Sequence, residues 1–179
     1  YQGDFYVQGA AGTEEAPIVI QGADPKSPPA FTGRSQGLQL SGCSYVTLRN
    51  LEFHKYPQYG LHIHDGGAEG SAHHFTVENV TILDTGPTGN TEAVKMAGVD
   101  HFVFRNCRIE GWGDAAIDMV GCHQGVIEDC YFEGMADDGV NIYAPPHVPL
   151  EVRSPARWLV SPGCIVLPGD RLQVLDPRS

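Results

Sequence analysis

The sequence has no long apolar run, few basic side chains and no paired-cysteine motif. None of its 179 residues belongs to an apolar run approaching the roughly 18 residues of a membrane-spanning helix. Only 11 basic residues stand against 22 acidic ones, which gives a net charge of −11. This balance argues against nucleic acids and anionic membranes as partners, and it suits neutral or cationic ligands or divalent cations. The lack of a Cys-x-x-Cys pair removes the strongest sequence signal for a structural zinc site.

What the sequence does contain is a repeat of 23 residues. Its units begin with short apolar stretches at Gly37, Gly60, Ala93, Ala116 and Gly139, and the unit at Gly60 is expanded to 33 residues. Such a period indicates a solenoid, because one unit cannot bury its apolar face alone. Within a unit, apolar and polar residues alternate in three short runs, as in strands. The pattern predicts an all-β fold, a right-handed single-stranded parallel β-helix; the leucine-rich repeat frame is not met.

The repeat also predicts how the chain is organised. Residues 1–36 form an N-terminal segment with the first coil, 37–143 form the regular coils, and 144–179 form a β-rich insertion or the start of a following segment. Solenoids need capping units, and the C-terminal side shows none. We therefore expect the chain to be a fragment of a longer protein.

One turn position is occupied in four coils by Asn50, Asn79, Asn106 and Asp129. Asn and Asp tolerate the left-handed backbone conformation and hydrogen-bond to nearby backbone. Stacked Asn side chains can also bond from coil to coil at the roughly 4.8 Å spacing of paired strands. The pattern predicts an internal asparagine ladder with a structural role.

Two of the five cysteines, Cys107 and Cys130, occupy the same inward position of adjacent coils. Their expected Cα separation of ~4.8 Å lies within the range of a disulfide. The alternative is an apolar stack of two buried thiols, since side chains of stacked strands run parallel. Cys43 and Cys122 share another position but are too far apart to bridge, and Cys164 lies outside the repeat.

With these features the chain resembles the pectin-lyase-like β-helix superfamily over residues 9–143. Residues 12–20 (GTEEAPIVI) are similar to the first-coil signature of many such proteins. The resemblance implies the fold, whereas the activity must come from the site, because one fold hosts many functions. We expect a secreted or periplasmic bacterial protein whose export signal lies outside this chain.

The register of the repeat places outward-facing residues in columns. We call the polar ledge the surface formed by the column on the first strand and two columns on the preceding turn. Such a polar strip suits an extended polysaccharide or oligosaccharide, although any outward residue of a β-helix is polar where water faces it. Trp112, placed in the turn before the ledge, is either a sugar-stacking platform or a cover for the core edge. The columns are Gln39, His62, Lys95, Asp118 and Asn141, then Ser35, Gln58, Thr91, Asp114 and Asp137, then Gln36, Tyr59, Glu92, Ala115 and Asp138.

Five carboxylates lie on three neighbouring coils of the polar ledge. Like charges so close repel, so at least one pKa is expected to rise, and such a cluster points to a cation or to acid–base catalysis. Glu92 and Asp138 share a column two coils apart, ~9.6 Å between backbones. This fits the roughly 6.5–9.5 Å between the carboxyls of inverting glycosidases. We predict hydrolysis of a glycosidic bond without a cofactor, with Asp138 as general base and Glu92, Asp114, Asp118 or Asp137 as acid.

Residues 137–142 (DDGVNI) resemble a motif of β-helix glycoside hydrolases related to the α-1,3-galactosidases. The resemblance implies catalytic roles for Asp137 and Asp138, with Asp114 one coil earlier. In that family a His-Gly follows the motif, whereas Tyr143-Ala follows it here, which bears on the substrate. The family also has an inserted β-rich stretch after these coils. Its counterparts here would be residues 157–160, 164–167 and 168–177.

Two alternatives stay open. A polysaccharide lyase needs a cation to neutralise the substrate carboxylate and a base to take the α-proton. Lys95 would be the base, and Asp114, Asp118 and Asp138 beside it could hold Ca²⁺ as the cation. Otherwise Lys95 forms a salt bridge with Glu92 or Asp118. The second alternative is a non-catalytic carbohydrate-binding or surface-adhesion module.

The histidines give weaker signals. His62 and His64 form an outward His-x-His pair, but no third ligand stands at a clear spacing, so no metal site is predicted. His73 and His74 are placed in the expanded loop, residues 65–74, as part of a groove wall.

Overall fold

The computed structural model describes residues 1–86, 91–143, 149–154 and 157–160. The chain divides into two compact units, Tyr1–Tyr143 and Ala144–Ser179. In the described part all regular elements are strands, and no helix there is long and apolar enough to cross a membrane. The strands are β1 (Phe5–Gln8), β2 (Ile18–Gln21), β3 (Ala30–Phe31), β4 (Leu38–Ser41), β5 (Ser44–His54), β6 (Leu61–His64), β7 (Ala72–Thr85), β8 (Val94–Ala97), β9 (Val99–Arg105), β10 (Arg108–Trp112), β11 (Ile117–Val120), β12 (His123–Glu128), β13 (Tyr131–Met135), β14 (Val140–Tyr143), β15 (Pro149–Ser154) and β16 (Arg157–Val160).

Six short strands form the first sheet, in the order β1-β4-β6-β8-β11-β14, and all neighbours are parallel. Leu38 pairs with Leu61, Leu61 with Val94, and Val94 with Ile117, at spacings of 23, 33 and 23 residues. Each strand therefore lies one coil after its neighbour. The predicted parallel β-helix and its repeat are confirmed.

The longer strands form the second sheet, in which β5 pairs with β2, β3 and β7, and β7 pairs with β9 and β10. The sequence predicts two separate strands on this side of each coil. In β5 and β7 they are instead one continuous element that bends at a left-handed residue, Asn50 (φ 56°) or Asn79 (φ 52°). In later coils the same bend, at Asn106 or Asp129 (both φ 52°), interrupts the strand.

These bends carry the predicted asparagine ladder. The Asn79 Nδ2 donates a hydrogen bond to Asn50 Oδ1 at 2.8 Å, from one coil to the next. The prediction of an internal ladder is wrong, however, because Asn79, Asn106 and Asp129 are exposed. The left-handed conformation turns the corner of the coil, so the side chain points away from the core.

The core is a stack of inward-facing side chains from both sheets. Leu48 is fully buried and Phe104 is 1 % exposed. Burial of each such side chain contributes about 1.5–3 kcal/mol. The stacked positions, coil by coil, are Leu38, Leu61, Val94 and Ile117; Leu40, Ile63, Met96 and Met119; Val46, Phe75 and Phe102; Leu48, Val77 and Phe104; Phe53, Ile82 and Ile109.

Each repeat begins with a small residue because the coils approach closely there. A Cβ on Gly37 would overlap the carbonyl oxygen of Gly60 in the next coil. Further along the stack, Ala93 and Ala116 are fully buried. The tight contact leaves room for glycine or alanine alone, which explains the small first residue of the repeat.

Cys107 and Cys130 lie one behind the other as free thiols, and so do not form the disulfide left open by the sequence. Their mutual hydrogen bond lowers the pKa of Cys130 to about 7 and, with burial, raises that of Cys107. Cys43 and Cys122 are also free, and Cys164 lies outside the described residues.

Two placements made from the sequence are wrong. The expanded turn ends at residue 71 and β7 starts at Ala72, so His73 and His74 lie in a strand. The cause is the pairing of His73 with Ser44, which extends the sheet into the predicted loop. Trp112 is the last residue of β10, in register with Thr85, and not part of a turn.

In the second unit, β15 and β16 form an antiparallel pair in which Ser154 lies opposite Arg157. The predicted strand over residues 157–160 is therefore present. The predicted strands over residues 164–167 and 168–177 lie outside the described residues.

Candidate active site

The first-strand column of the polar ledge exists as predicted, since its residues pair in consecutive coils. The sequence analysis missed its first member, Tyr6, which pairs with Gln39 and is 56 % exposed. Tyr6 precedes Gln39 by 33 residues, the length of the expanded coil, and this spacing could have revealed it. The complete column is Tyr6, Gln39, His62, Lys95, Asp118 and Asn141.

Lys95 is the centre of the ledge. Its Nζ lies 3.2 Å from Glu92 Oε1 and also forms an ion pair with Asp118 Oδ2. Although both carboxylates occupy outward positions of the repeat, their side chains are only 7 % and 8 % exposed. Both lean onto the ammonium group, and the predicted salt bridge of Lys95 forms with both partners instead of one.

Each carboxylate of this ion-pair cluster keeps one unused oxygen. Within the described part of the chain, Glu92 Oε2 and Asp118 Oδ1 are buried without a hydrogen-bond partner. Burial raises the pKa of Glu92, although the nearby Lys95 charge acts in the opposite direction. Burial lowers the pKa of Lys95, but the hydrogen bond to Asp118 and the charge of Glu92 outweigh it and leave that pKa raised. Lys95 therefore favours its charged form, and Glu92 is the carboxylate of this cluster whose proton affinity burial raises.

His62 pairs with Lys95 across adjacent coils. Burial, with the nearby His64 and the Lys95 charge, lowers the pKa of His62 to about 4, so the ring is neutral at pH 7. Its Nδ1 lies 3.0 Å from Gln36 Oε1, an acceptor, which assigns the proton to Nδ1. The Nε2 of His62 consequently carries a lone pair.

Tyr59 completes this group from the turn column. Its ring centroid lies 5.2 Å from that of His62. Burial raises the pKa of Tyr59, and the charges of Glu92 and Asp118 raise it further, against the effect of Lys95. The phenol therefore keeps its proton and can donate it.

His64, the second residue of the His-x-His pair, has different hydrogen-bond partners. The backbone N–H of Gly66, in the expanded turn, donates to His64 Nδ1 at 3.0 Å, and the Gln39 amide lies 2.9 Å from its Nε2. His64 thus links the ledge to the expanded turn. Among the described residues, no three His, Cys, Asp or Glu side chains converge so that they could hold a metal ion.

The predicted cluster of five carboxylates is divided in the structure. Glu92 and Asp118 are paired with Lys95, whereas Asp114 interacts with Asp137. Burial, then repulsion by Asp137 and by Asp118 and a hydrogen bond to Asp137, raise the pKa of Asp114, so its charge still couples it to the Lys95 cluster. Asp137 and Asp138 are exposed. The repeat register assigns the five carboxylates to the correct coils. Which of them form an ion pair depends on how far the Lys95 side chain reaches.

Lys95 also marks a boundary in charge. On the earlier coils the ledge is uncharged, with the amide of Gln58 accepting a hydrogen bond from Gln36 at 3.1 Å, and Gln36 in turn accepting one from His62. On the later coils the ledge carries the carboxylates of Asp114, Asp137 and Asp138 together with the half-buried amide of Asn141. Trp112 lies at the end of β10, and its side chain is outside the described part. The ledge therefore has an amide-and-aromatic half and an acidic half.

Comparison with known proteins agrees with this architecture. A family profile described as a right-handed β-helix region matches residues 36–148. No curated protein matches the sequence. An alginate lyase from Paenibacillus sp. str. FPU-7 has a similar fold, with a TM-score of 0.54 and 18 % sequence identity over 80 % of this chain. The chain spans 63 % of the length of that structure, and the likeness concerns the fold.

Proposed function

The chain belongs to the right-handed β-helix family, and on that premise we propose that it cleaves an acidic polysaccharide by β-elimination at Lys95. One observation carries the proposal: a neutral histidine, a protonated tyrosine and a lysine ammonium lie together on the ledge. These are the base, the acid and the cation that the reaction needs. The similar fold of an alginate lyase supports a uronic-acid polymer as substrate class.

In β-elimination at a uronate, a base removes the proton at C5 beside the carboxylate. Negative charge then develops on the carboxylate, where a fixed cation stabilises it. The C4–O4 bond breaks, a C4=C5 double bond forms, and an acid protonates the departing oxygen. The product is an unsaturated sugar that absorbs in the ultraviolet, so the reaction is separable from hydrolysis.

Each role falls to one residue. His62 Nε2 takes the C5 proton, because its Nδ1–H is directed to Gln36. Lys95 binds the substrate carboxylate, since the raised pKa keeps it charged. Tyr59 donates its phenolic proton to the leaving oxygen.

Glu92 and Asp118 position Lys95, and their protonation sets the net charge of the ion-pair cluster. With both carboxylates ionised, the cluster is negative overall and opposes a uronate. Protonation of Glu92, the carboxyl whose pKa burial raises, leaves Lys95 with one negative partner. The substrate carboxylate then meets a neutral cluster, and the uncharged half of the ledge holds the rest of the polymer.

The test is a panel of uronate polymers and neutral glycans, followed both by ultraviolet absorbance and by new reducing ends. We expect absorbance with uronates, and a rate lower by about 10²–10⁴ in Tyr59→Phe and in His62→Gln. The control is Tyr131→Phe, which removes an exposed hydroxyl group that donates to Glu133. Tyr131 is not part of the polar ledge. The acid limb of the rate profile should fall near the His62 pKa of about 4.

Other outcomes assign other functions. Reducing ends without absorbance would replace elimination by hydrolysis, and no turnover on any glycan would favour a binding module. Loss of activity in a chelator would bring back the proposal that carboxylates such as Asp114 and Asp118 hold Ca²⁺.

Hydrolysis remains a second candidate because of one observation. Asp114 has a raised pKa, as a general acid needs, while Asp138 is exposed and available as the base. Asp138→Asn would abolish turnover if hydrolysis operates, and would leave elimination at Lys95 close to its normal rate.

A further inference from the structure

A second cluster of titratable side chains lies on the second sheet, away from the polar ledge columns. We call it the histidine corner: His73, His74, His101 and His123, four of the eight histidines in the chain. His73 is in register with Asp100, and Asp100 with His123. His74 and His101 are the next residues along their strands. The mechanism at Lys95 uses none of them.

His74 and His101 of the histidine corner have a left-handed backbone, and so do Tyr45 and Gln124 at the same position of neighbouring coils. Tyr45, His74, His101 and Gln124 have φ values of 52°, 57°, 52° and 55°. Their side chains therefore point outward and stack from coil to coil. The ring centroids are 4.4 Å apart between Tyr45 and His74, and 4.6 Å apart between His74 and His101. Because the ring faces cover one another, the imidazole edges with their nitrogens are what a ligand meets.

These rings form one side of an open groove of about 450 Å³. Thr47, Thr76 and Val103 from consecutive strands also line it, and Glu14 and Pro17 contribute from the preceding segment. The groove crosses several coils, so an extended ligand would run along the stack.

The charges around the groove are few and partly paired. Burial, then the neighbouring His101 and His73, lower the pKa of His74, and the opposing effect of Glu14 is smaller. Asp100 Oδ1 lies 2.9 Å from His123 Nδ1.

The imidazoles of His73 and His74 also restrict each other's protonation. Their Nδ1 atoms are 2.8 Å apart, so one donates and the other accepts. Four residues beyond His74 and His101 along the same strands, an outward column alternates in sign and contains the ion pair Arg105–Glu128. This column is Arg49, Glu78, Arg105 and Glu128.

We propose that this groove is a second binding site, for a uronic-acid oligosaccharide, and that it takes up protons as it binds. The chain has a net charge of −11, so a groove lined by neutral imidazoles would not attract an anion. Protonated imidazole edges offer N–H donors to carboxylates at successive coils, and histidine is the side chain that changes charge between about pH 5 and 8. The ligand class rests on the proposed function; the site itself rests on the groove and its rings.

The experiment follows the ring protons of the full chain by NMR during titration with a uronate hexasaccharide and with a neutral hexasaccharide. The Tyr59→Phe variant is used, so that the ligand is not consumed. At about pH 5.5 we expect the uronate to shift the His74 and His101 resonances, with affinity about tenfold higher than at about pH 7.5. His74→Gln combined with His101→Gln should remove this pH-dependent step, and His54→Gln, whose partner is Glu52, should keep it.

Unmoved His74 and His101 resonances at both pH values would overturn the proposal, and so would equal shifts with the neutral sugar. Binding at the groove without any turnover at Lys95 would leave this site standing and remove the proposed enzyme activity. Turnover at Lys95 with unmoved His74 and His101 resonances would support the enzyme activity and remove the second binding site. The two conclusions can thus fail separately.

Discussion

Replacing Lys95 with methionine tests the ion-pair cluster directly. Met has an unbranched side chain one atom shorter than that of lysine, and it carries no charge. Two carboxylate side chains, 7 % and 8 % exposed, then lose their cation. Removing one partner of a buried pair costs about 3–5 kcal/mol. The Lys95 side chain is itself 24 % exposed, so we expect the lower end, about 3 kcal/mol near pH 8. In a domain of this size, that loss lowers the melting temperature by about 6–12 °C.

The loss should depend on pH in a defined direction. In Lys95→Met, Glu92 loses the cation that opposes the effect of burial, so its folded-state pKa, already raised by burial, lies further above that of the unfolded chain. A carboxyl with a raised folded-state pKa binds more protons in the folded state, so stability rises as pH falls through that pKa. The difference from the natural protein should therefore shrink towards about pH 5.

Urea unfolding at both pH values, followed by tryptophan fluorescence, measures this difference. Arg105→Met is the matched control, because the Arg105–Glu128 pair is 45 % and 41 % exposed and solvent screens it, so its loss should change stability little. Adding Asp118→Asn to Lys95→Met should recover part of the loss. If Lys95→Met loses no more than Arg105→Met, or loses the same amount at both pH values, the cluster is not the buried one described here.

Three further variants test other parts of the fold. Tyr6→Ala should lower kcat/KM several-fold on long uronate oligosaccharides and leave short ones unaffected, since stacking on an exposed ring contributes about 0.5–1.5 kcal/mol; equal effects on both lengths would exclude a distal sugar platform. Phe104→Ala should cost about 3–5 kcal/mol in urea unfolding, and a loss below about 1 kcal/mol would contradict its burial. Asn79→Ala should cost about 1–2 kcal/mol, since alanine resists the left-handed conformation, whereas Asn79→Gly should cost less; the opposite order would refute the corner geometry.

The repeat predicts the coils, because strand alternation and a fixed period leave one register. That register places Gln39, His62 and Lys95 in one column, as the strand pairing confirms. It could not show that Glu92 is buried, since the burial of an outward residue depends on what covers it. Nor could it show that Lys95 reaches two carboxylates at once, because side-chain reach exceeds the spacing between coils.

The sequence favours hydrolysis, whereas the structure favours elimination, because side-chain burial and reach are visible in the structure alone. The sequence shows carboxylate pairs at suitable backbone spacing, which favours a hydrolase. The structure pairs Glu92 and Asp118 with a lysine, and burial lowers the pKa of His62 and raises that of Tyr59. These features have no signature in composition or period, and they favour the proposed elimination. The stacked rings at Tyr45 and His74 were missed because neither residue is a typical left-handed residue, so no turn signal marks them.

The turn that leads from the first sheet to the second varies in length from coil to coil, and the strand register stays the same. It takes the single residue Gly98 between β8 and β9, two residues between β4 and β5, and residues 65–71 between β6 and β7. Lengthening a loop adds only about 0.6 kcal/mol per doubling. This corner is therefore a natural place to insert a foreign peptide, for instance at Gly98 or Gly121. Such a graft would stand beside the groove while the coils keep their stacking, which makes the solenoid a scaffold for displayed segments.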